Sequence, residues 1–254
     1  MHRFQYVSVT NLKDAIAQLD GDGVMLKAGG VDVLDSLKEG YFRPEKLVNI
    51  LTVPGLDFVR FTPAGGLAIG ALTRLNTVAD NAIVKKTYPA LQLAADQVAS
   101  YQIRNMATVG GNLCQRPRCW YFRSEQHNCL KKGGDRCYSV EGENQYHAIF
   151  GDGPCHIVHP SGIAPALIAY GAKAKIQGPK GARVVDLEQF FVMPNRELFK
   201  ETVLESNEIL TEITVPPPAA GTKAFYLKHR EREGFDWPLA EAAAVLTMSA
   251  GVVK

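Results

Sequence analysis

The chain has 254 residues, 46% hydrophobic and 21% charged, a composition that excludes disorder, collagen and coiled coil and allows one large domain or two ordinary ones. Its 28 basic and 26 acidic residues leave a net charge of +2, too small to point to nucleic acid or an anionic membrane as the main partner. No apolar run approaches the roughly 20 residues of a membrane-spanning helix, and the opening MHRFQYVSVTNLKDAIAQL is polar where an export signal is apolar. By its own sequence the chain is expected in the cytoplasm; export with a signal-bearing partner would place it in the periplasm.

Taken in order, Asn11 is predicted to cap a helix whose apolar residues Leu12, Ala15, Ile16 and Leu19 share one face. Residues 24–28 read as a short strand broken by Gly29 and Gly30, and a second short helix through Leu34 and Leu37 ends near Gly40. Residues 46–50 are β-rich, so this stretch suits a small parallel βαβ unit. Pro89 opens a helix continued by Leu91, Ala94, Ala95 and Val98, and a second glycine pair, Gly110 and Gly111, follows. From 114 to 160 the periodicity disappears. After it come a short helix in APALIAYGA, strands in AKAKIQ and ARVVD joined by GPKG, and a strand in EILTEITVP closed by prolines. Those prolines suggest a boundary, giving a domain over 1–215 and a second segment, 216–254, whose two strands cannot enclose a core of their own.

All five cysteines lie between Cys114 and Cys155. An odd count, no export signal and a chain large enough to fold unstapled argue against a disulfide framework and for a metal site. Cys119, Cys129, Cys137 and Cys155 are separated by nine, seven and seventeen residues. Four thiolates suit zinc and a 4Fe-4S cluster equally by ligand type; the absence of paired C-x₂₋₄-C knuckles favours the cluster. A loop of this length needs crosslinks that a metal centre would supply. Histidines 127, 147, 156 and 159 in the same region rank below the cysteines as ligands, and Arg116, Arg118 and Arg123 are read as balancing anionic sulfur and phosphate while Trp120, Tyr121 and Phe122 exclude water.

Two glycine loops complete the candidate sites. The first, LKAGGVDVL, comprises Leu26, Lys27, Ala28, Gly29, Gly30, Val31, Asp32, Val33 and Leu34; glycines after a strand let backbone amides approach a phosphate, and the next helix adds its N-terminal dipole. It is neither G-x-G-x-x-G nor G-x-x-x-x-G-K-[ST]. The second, ATVGGNL, offers Thr108 and Asn112 as hydrogen-bonding side chains, with Gly110 and Gly111 leaving room for a flat ring or a diphosphate. Two such loops can hold a dinucleotide at two points. No Ser-His-Asp, H-E-x-x-H or paired-carboxylate arrangement is present, so the sequence offers cofactors and no hydrolytic site.

At these residues the chain resembles the FAD-binding medium subunit of the xanthine dehydrogenase family of molybdenum hydroxylases. LKAGGVDVL resembles that family's first flavin loop and TVGGN its second. RPRCWYFR, KGGDRCYSVEGENQYHAIFGDGPC and HPSGIAPALIAYGA resemble the branch with an extra 4Fe-4S cluster, as in periplasmic aldehyde oxidoreductase and, more distantly, 4-hydroxybenzoyl-CoA reductase. The resemblance spans the chain and is strongest over 108–172. It implies an α+β, two-subdomain FAD-binding fold of the vanillyl-alcohol-oxidase (PCMH) type, with an inserted iron-sulfur loop at about 114–160 and only the start of the C-terminal α+β domain. Carried over, residues 26–34 would wrap the FAD diphosphate, Thr108, Gly111 and Asn112 would meet the flavin end, and Gly162, Leu210 and Lys228 would line the same cofactor. Cys119, Cys129, Cys137 and Cys155 would bind the cluster, leaving Cys114 spare. Two departures stand out: Val31 replaces a threonine, and Gly162 stands where HPSD would place a flavin-holding aspartate. The implied protein is the electron-transfer subunit of a heterotrimer with a large molybdopterin-binding subunit and a small 2Fe-2S subunit, delivering electrons through FAD to an external acceptor. The rival from another class is a zinc-stabilised binding or scaffold module without redox activity.

Overall fold

The structure, a computed structural model, describes residues 2–151 and 153–254. Its first unit runs β1 (Gln5–Ser8), α1 (Leu12–Gln18), β2 (Val24–Lys27), α2 (Val31–Glu39) and β3 (Lys46–Asn49). The strands form a parallel sheet in the order β1-β3-β2, with Gln5 and Val24 both in register with Lys46. This is the expected βαβ unit. The Asn11 side chain caps α1 by accepting from Asp14 N at 2.8 Å, and α2 stops at Gly40, whose φ of 79° few other residues tolerate. Ala15, Leu19, Val48, Ile50 and Leu72 bury the apolar side of this layer.

The second unit continues with β4 (Val59–Phe61), β5 (Leu67–Gly70), α3 (Leu75–Asp80), α4 (Ala82–Thr87), α5 (Pro89–Asp96), α6 (Tyr101–Arg104) and α7 (Val109–Leu113). After the cysteine-bearing segment come α8 (Ala164–Ala169), β6 (Lys173–Gly178), β7 (Gly181–Asp186), α9 (Leu187–Phe190) and β8 (Ile209–Val215). An antiparallel sheet of five strands, ordered β4-β5-β8-β6-β7, packs under the helices. Parallel and antiparallel sheets with segregated helices make the chain α+β. Leu67, Ile69, Leu75, Leu91, Leu167, Ile176 and Ile213 fill the larger core, each leucine or isoleucine contributing about 1.5–3 kcal/mol by burial. Tyr88 and Tyr170 meet edge to face at 5.2 Å, and the Tyr88 hydroxyl donates to Pro216 O at 3.1 Å, tying α5 to the end of β8.

Beyond the prolines, β9 (Thr222–His229) and β10 (Ala240–Ser249) form an antiparallel hairpin extended by β11 (Val252–Val253). Tyr226 is fully buried in the larger core, with Ala224, Ala243 and Val245 packed against it. The hairpin therefore uses its neighbour's core, as two strands must. The cysteine-bearing segment contains one short 3₁₀ turn, Leu130–Lys132, as its lack of periodicity foretold.

An ion pair offers a clean test of the β7 edge of the five-stranded sheet. Arg183 donates to both oxygens of Glu208, at 2.8 and 2.6 Å, and this hydrogen bonding holds the Glu208 carboxyl below the usual carboxylate range. A depressed carboxylate pKa contributes stability that is present above the unfolded value, about 4.3, and lost as pH falls through the folded value. Because Arg183 is partly exposed, Glu208→Gln is expected to cost only about 0.5–1 kcal/mol at pH 7. Thermal melts at pH 7 and pH 3 should show that difference shrinking in acid; a constant difference would refute the electrostatic origin.

Candidate functional site

The first glycine loop follows directly from the end of β2. Gly30 sits at φ 85° as the N-cap of α2, with no side-chain cap, so the amides of the first turn face outward without an intrahelical or capping acceptor. Lys27 donates to Ala28 O and Asn49 Oδ1, both at 3.2 Å. Both acceptors are neutral, so the ammonium charge is unspent beside the helix end. Gly29 closes the loop against another part of the chain: a Cβ there would lie 1.9 Å from Met106 O. Arg74 donates to the same carbonyl at 2.5 Å and bridges to Thr108. The two glycine loops, far apart in sequence, thus touch.

The second loop differs from its reading as an open turn. It is the short helix α7, because the Thr108 hydroxyl accepts from Gly111 N at 3.1 Å as its cap. Gly110 does not leave room for a ring or a diphosphate. A Cβ on it would come within 3.0 Å of Ala71, to whose carbonyl Gly110 N donates at 2.8 Å; the glycine lets α7 lie directly on the end of β5. Asn112 is buried and accepts from Ser161 Oγ at 2.7 Å. The next residue, Gly162, lines a cavity with Gln97, Val98, Lys228, Trp237 and Glu241. Lys228 donates to Gln97 O at 3.1 Å across this cavity, and burial lowers its pKa. Leu210 lies in the larger core, 4% exposed, on β8. Val31 is exposed at the start of α2.

Cys119, Cys129, Cys137 and Cys155 line one small cavity together with Tyr121, Phe122, Tyr138, His147 and His156. Among the described residues no three His, Cys, Asp or Glu side chains converge closely enough to chelate a single metal ion. The thiols surround a space instead of a point. Burial raises the thiols of Cys119 and Cys155, the latter to about 11, while Phe122 N donates to Cys119 Sγ at 3.5 Å. Cys114 stands apart from this cavity, against the larger core, its thiol pushed up to about 12 by burial. His147 Nε2 lies 3.1 Å from Cys119 Sγ, and His127 pairs with Ser124 Oγ at 2.9 Å. His159 accepts from Ser161 N through Nδ1, and burial lowers its pKa to about 4. In this structure His127, His147 and His159 each make a hydrogen bond, that of His147 to the thiol of Cys119.

The arginines read as balancing sulfur and phosphate pair with carboxylates within the chain. Arg118 and Arg123 reach Asp32 at 2.8 and 2.7 Å, Arg116 N donates to its other oxygen at 2.8 Å, and both guanidinium groups also pair with Asp35. Arg116 Nε meets Glu201 at 2.6 Å, and that buried acid also pairs with Lys131 at 2.7 Å. Asp32, read from sequence as a direct cofactor residue, therefore turns its side chain to the cysteine segment. A carboxylate in the first turn of α2 would repel a phosphate, and the two arginines offset that charge. Trp120 lies outside the cysteine cavity, 39% exposed, whereas Tyr121 and Phe122 line it as expected.

These features fit a dinucleotide at the glycine loops, and comparison with known proteins decides between dinucleotides. A family profile described as the FAD binding domain in molybdopterin dehydrogenase matches residues 2–218. The chain belongs to this family. It is 35% identical over 250 residues to the aldehyde oxidoreductase FAD-binding subunit PaoB of Escherichia coli (strain K12), covering 97% of this chain and 78% of that protein. Identity to the carbon monoxide dehydrogenase medium chain of Hydrogenophaga pseudoflava is 30% over 255 residues, covering 99% and 72%. The fold matches a solved carbon monoxide dehydrogenase of Hydrogenophaga pseudoflava, lacking the Mo-pyranopterin moiety, with a TM-score of 0.74 at 29% identity over 99% of this chain and 72% of that one.

As an oxidoreductase FAD subunit, the chain is not the redox-inactive zinc scaffold of the rival reading. Among the described residues no helix is long and apolar enough to cross a membrane. Sequence reading missed Asp35, Glu241 and the cysteine contact of His147. A signal existed for Glu241: strand alternation puts it on the same face as the partly buried Ala243 and Val245.

Proposed function

We propose that this chain holds one noncovalent FAD across residues 26–34, Thr108 to Asn112 and the cavity of Gly162 and Lys228, and one 4Fe-4S cluster on Cys119, Cys129, Cys137 and Cys155. It serves as the electron-transfer subunit of a molybdenum hydroxylase complex of the aldehyde oxidoreductase or xanthine dehydrogenase kind, with a large molybdopterin-binding subunit and a small 2Fe-2S subunit as partners. FAD supplies the exchange between one-electron and two-electron chemistry that lets such a subunit discharge to an external acceptor. The two-subdomain architecture of the PCMH type, a domain over 1–215 and a further unit beginning at 216, belongs to the same reading.

The observation that carries it is the contact of Gly29 with Met106, which brings two amide-rich loops to one place. Uncapped amides of α2 and the Lys27 ammonium, whose two hydrogen-bond acceptors are neutral, are suited to a diphosphate. Neither glycine loop contains a histidine or cysteine as an attachment point for covalent flavin. For the cluster, support comes from four thiols lining one cavity, with a backbone amide and an imidazole directed at Cys119. Hydrogen bonds of that kind stabilise thiolate sulfur.

The test is the visible spectrum of the purified protein with acid-released flavin, iron and sulfide assays. One FAD and four irons per chain, and co-purification with the two partner subunits, are expected. A colourless protein carrying one zinc would overturn the reading.

A further inference from the structure

We propose that Glu241 is a cofactor-pocket residue, its carboxylate accepting a hydrogen bond from the imide N–H of a flavin ring seated in the cavity between Gln97, Gly162 and Lys228. This rests on the FAD reading above.

The placement of Glu241 on β10 runs against solvation. Alternation sends Ala240, Ala242 and Ala244 to the outer, exposed face and Glu241 to the inner face, with Ala243 and Val245. An acid turned inward while alanines face water costs free energy unless the acid has a partner. The protein supplies only part of one. Lys228 lies directly opposite in the β9–β10 register, but its ammonium is engaged with Gln97 O at 3.1 Å. None of the salt bridges among the described residues involves Glu241. The Tyr226 hydroxyl and Lys228 act on it, and Asp236 lines the same cavity; burial raises its carboxyl, and Tyr226 and Lys228 pull it back.

Gly162 leaves the carboxylate open to the cavity. A Cβ at 162 would stand 3.4 Å from Glu241 Oε1 and 3.2 Å from Val98 Cγ2, filling the approach. The cavity also adjoins the second glycine loop, because Ser161 Oγ is held on Asn112 Oδ1 at 2.7 Å. An ionised carboxylate can only accept hydrogen bonds. The one N–H of an oxidised isoalloxazine is its imide, flanked by two carbonyls, so the matching surface is an acceptor beside donors. Glu241 beside the Lys228 ammonium is such a surface.

The experiment measures FAD dissociation by flavin fluorescence, using the full chain stripped of flavin and reconstituted. The probes are FAD and FAD methylated at the imide nitrogen. Glu241→Ala is expected to weaken FAD about 10- to 100-fold, the effect of losing a hydrogen bond to a charged group. The methylated analogue should show no preference for wild type over Glu241→Ala, since it cannot make the bond and in wild type leaves the carboxylate without its donor. Glu241→Gln keeps the size of the side chain and guards against misfolding; it is expected to weaken FAD by a smaller factor with an unchanged melting temperature of the stripped protein. Gly162→Asp should weaken FAD in wild type by setting a second carboxylate beside Glu241, and recover affinity when combined with Glu241→Ala. Folded Glu241 variants that bind FAD as tightly as wild type would overturn the Glu241 assignment alone, as would methylated FAD that still binds wild type more tightly than Glu241→Ala. A wild-type chain that binds no FAD would overturn both the assignment and the flavin reading.

Discussion

Gly29→Val is expected to yield a protein without FAD and less stable by about 3 kcal/mol or more, in the range of severe overpacking. The Cβ would stand 1.9 Å from Met106 O and 2.9 Å from the carbonyl carbon. These are backbone atoms with no rotamer to escape into, so one loop must move off the other. Since Arg74 and the Thr108 bridge hold the second loop in place, displacement falls on the turn that leads into α2. Gly234→Ala is the control, because nothing lies within 4 Å of a Cβ there, and it should be close to neutral. Flavin-to-protein ratios and thermal melts check both variants. Full FAD occupancy in Gly29→Val would show that the close approach of the loops is not what forms the site.

Serine at Cys119, Cys129, Cys137 or Cys155 is expected to remove most of the iron and sulfide and to loosen residues 115–160, whereas serine at Cys114 should leave four irons per chain. The described residues of the segment hold one 3₁₀ turn and bury few apolar side chains, so its fold depends on the groups that bridge it. Cys114 is excluded by place: its buried thiol lies on the larger core, away from the cavity the other four share. Iron assays and limited proteolysis read out the series. The ligand set is falsified if the Cys114 variant loses the cluster while one of the other four keeps it.

Local features made the first unit legible. Asn11, the glycine pair at 29 and 30, and Gly40 mark cap, turn and stop within a few residues of the elements they bound, and GPKG does the same between β6 and β7. What stayed hidden depends on partners distant in the chain. Leu67–Gly70 is buried at every position, so it shows no alternation, and its pairing with β8 spans more than a hundred residues. Two glycines in α7 argue against a helix; the Thr108 cap and the contact with Ala71 impose one. The four cysteines stood out by type and clustering. Asp32 did not, because a carboxylate in a glycine loop reads as a ligand contact until Arg118 and Arg123, some ninety residues on, are seen to reach it.

That clamp has a consequence for sequence variation. Asp32 and Asp35 lie on the helix that opens the first glycine loop, and Arg118 and Arg123 flank Cys119. Losing one acid would leave two partly buried guanidinium groups to share a single carboxylate, and losing one arginine would leave two carboxylates to share a single cation. Neither side can change alone without penalty. Within the family these four positions should therefore be inherited as a block together with the cysteines, and chains without the cysteines should be free to drop all four charges at once.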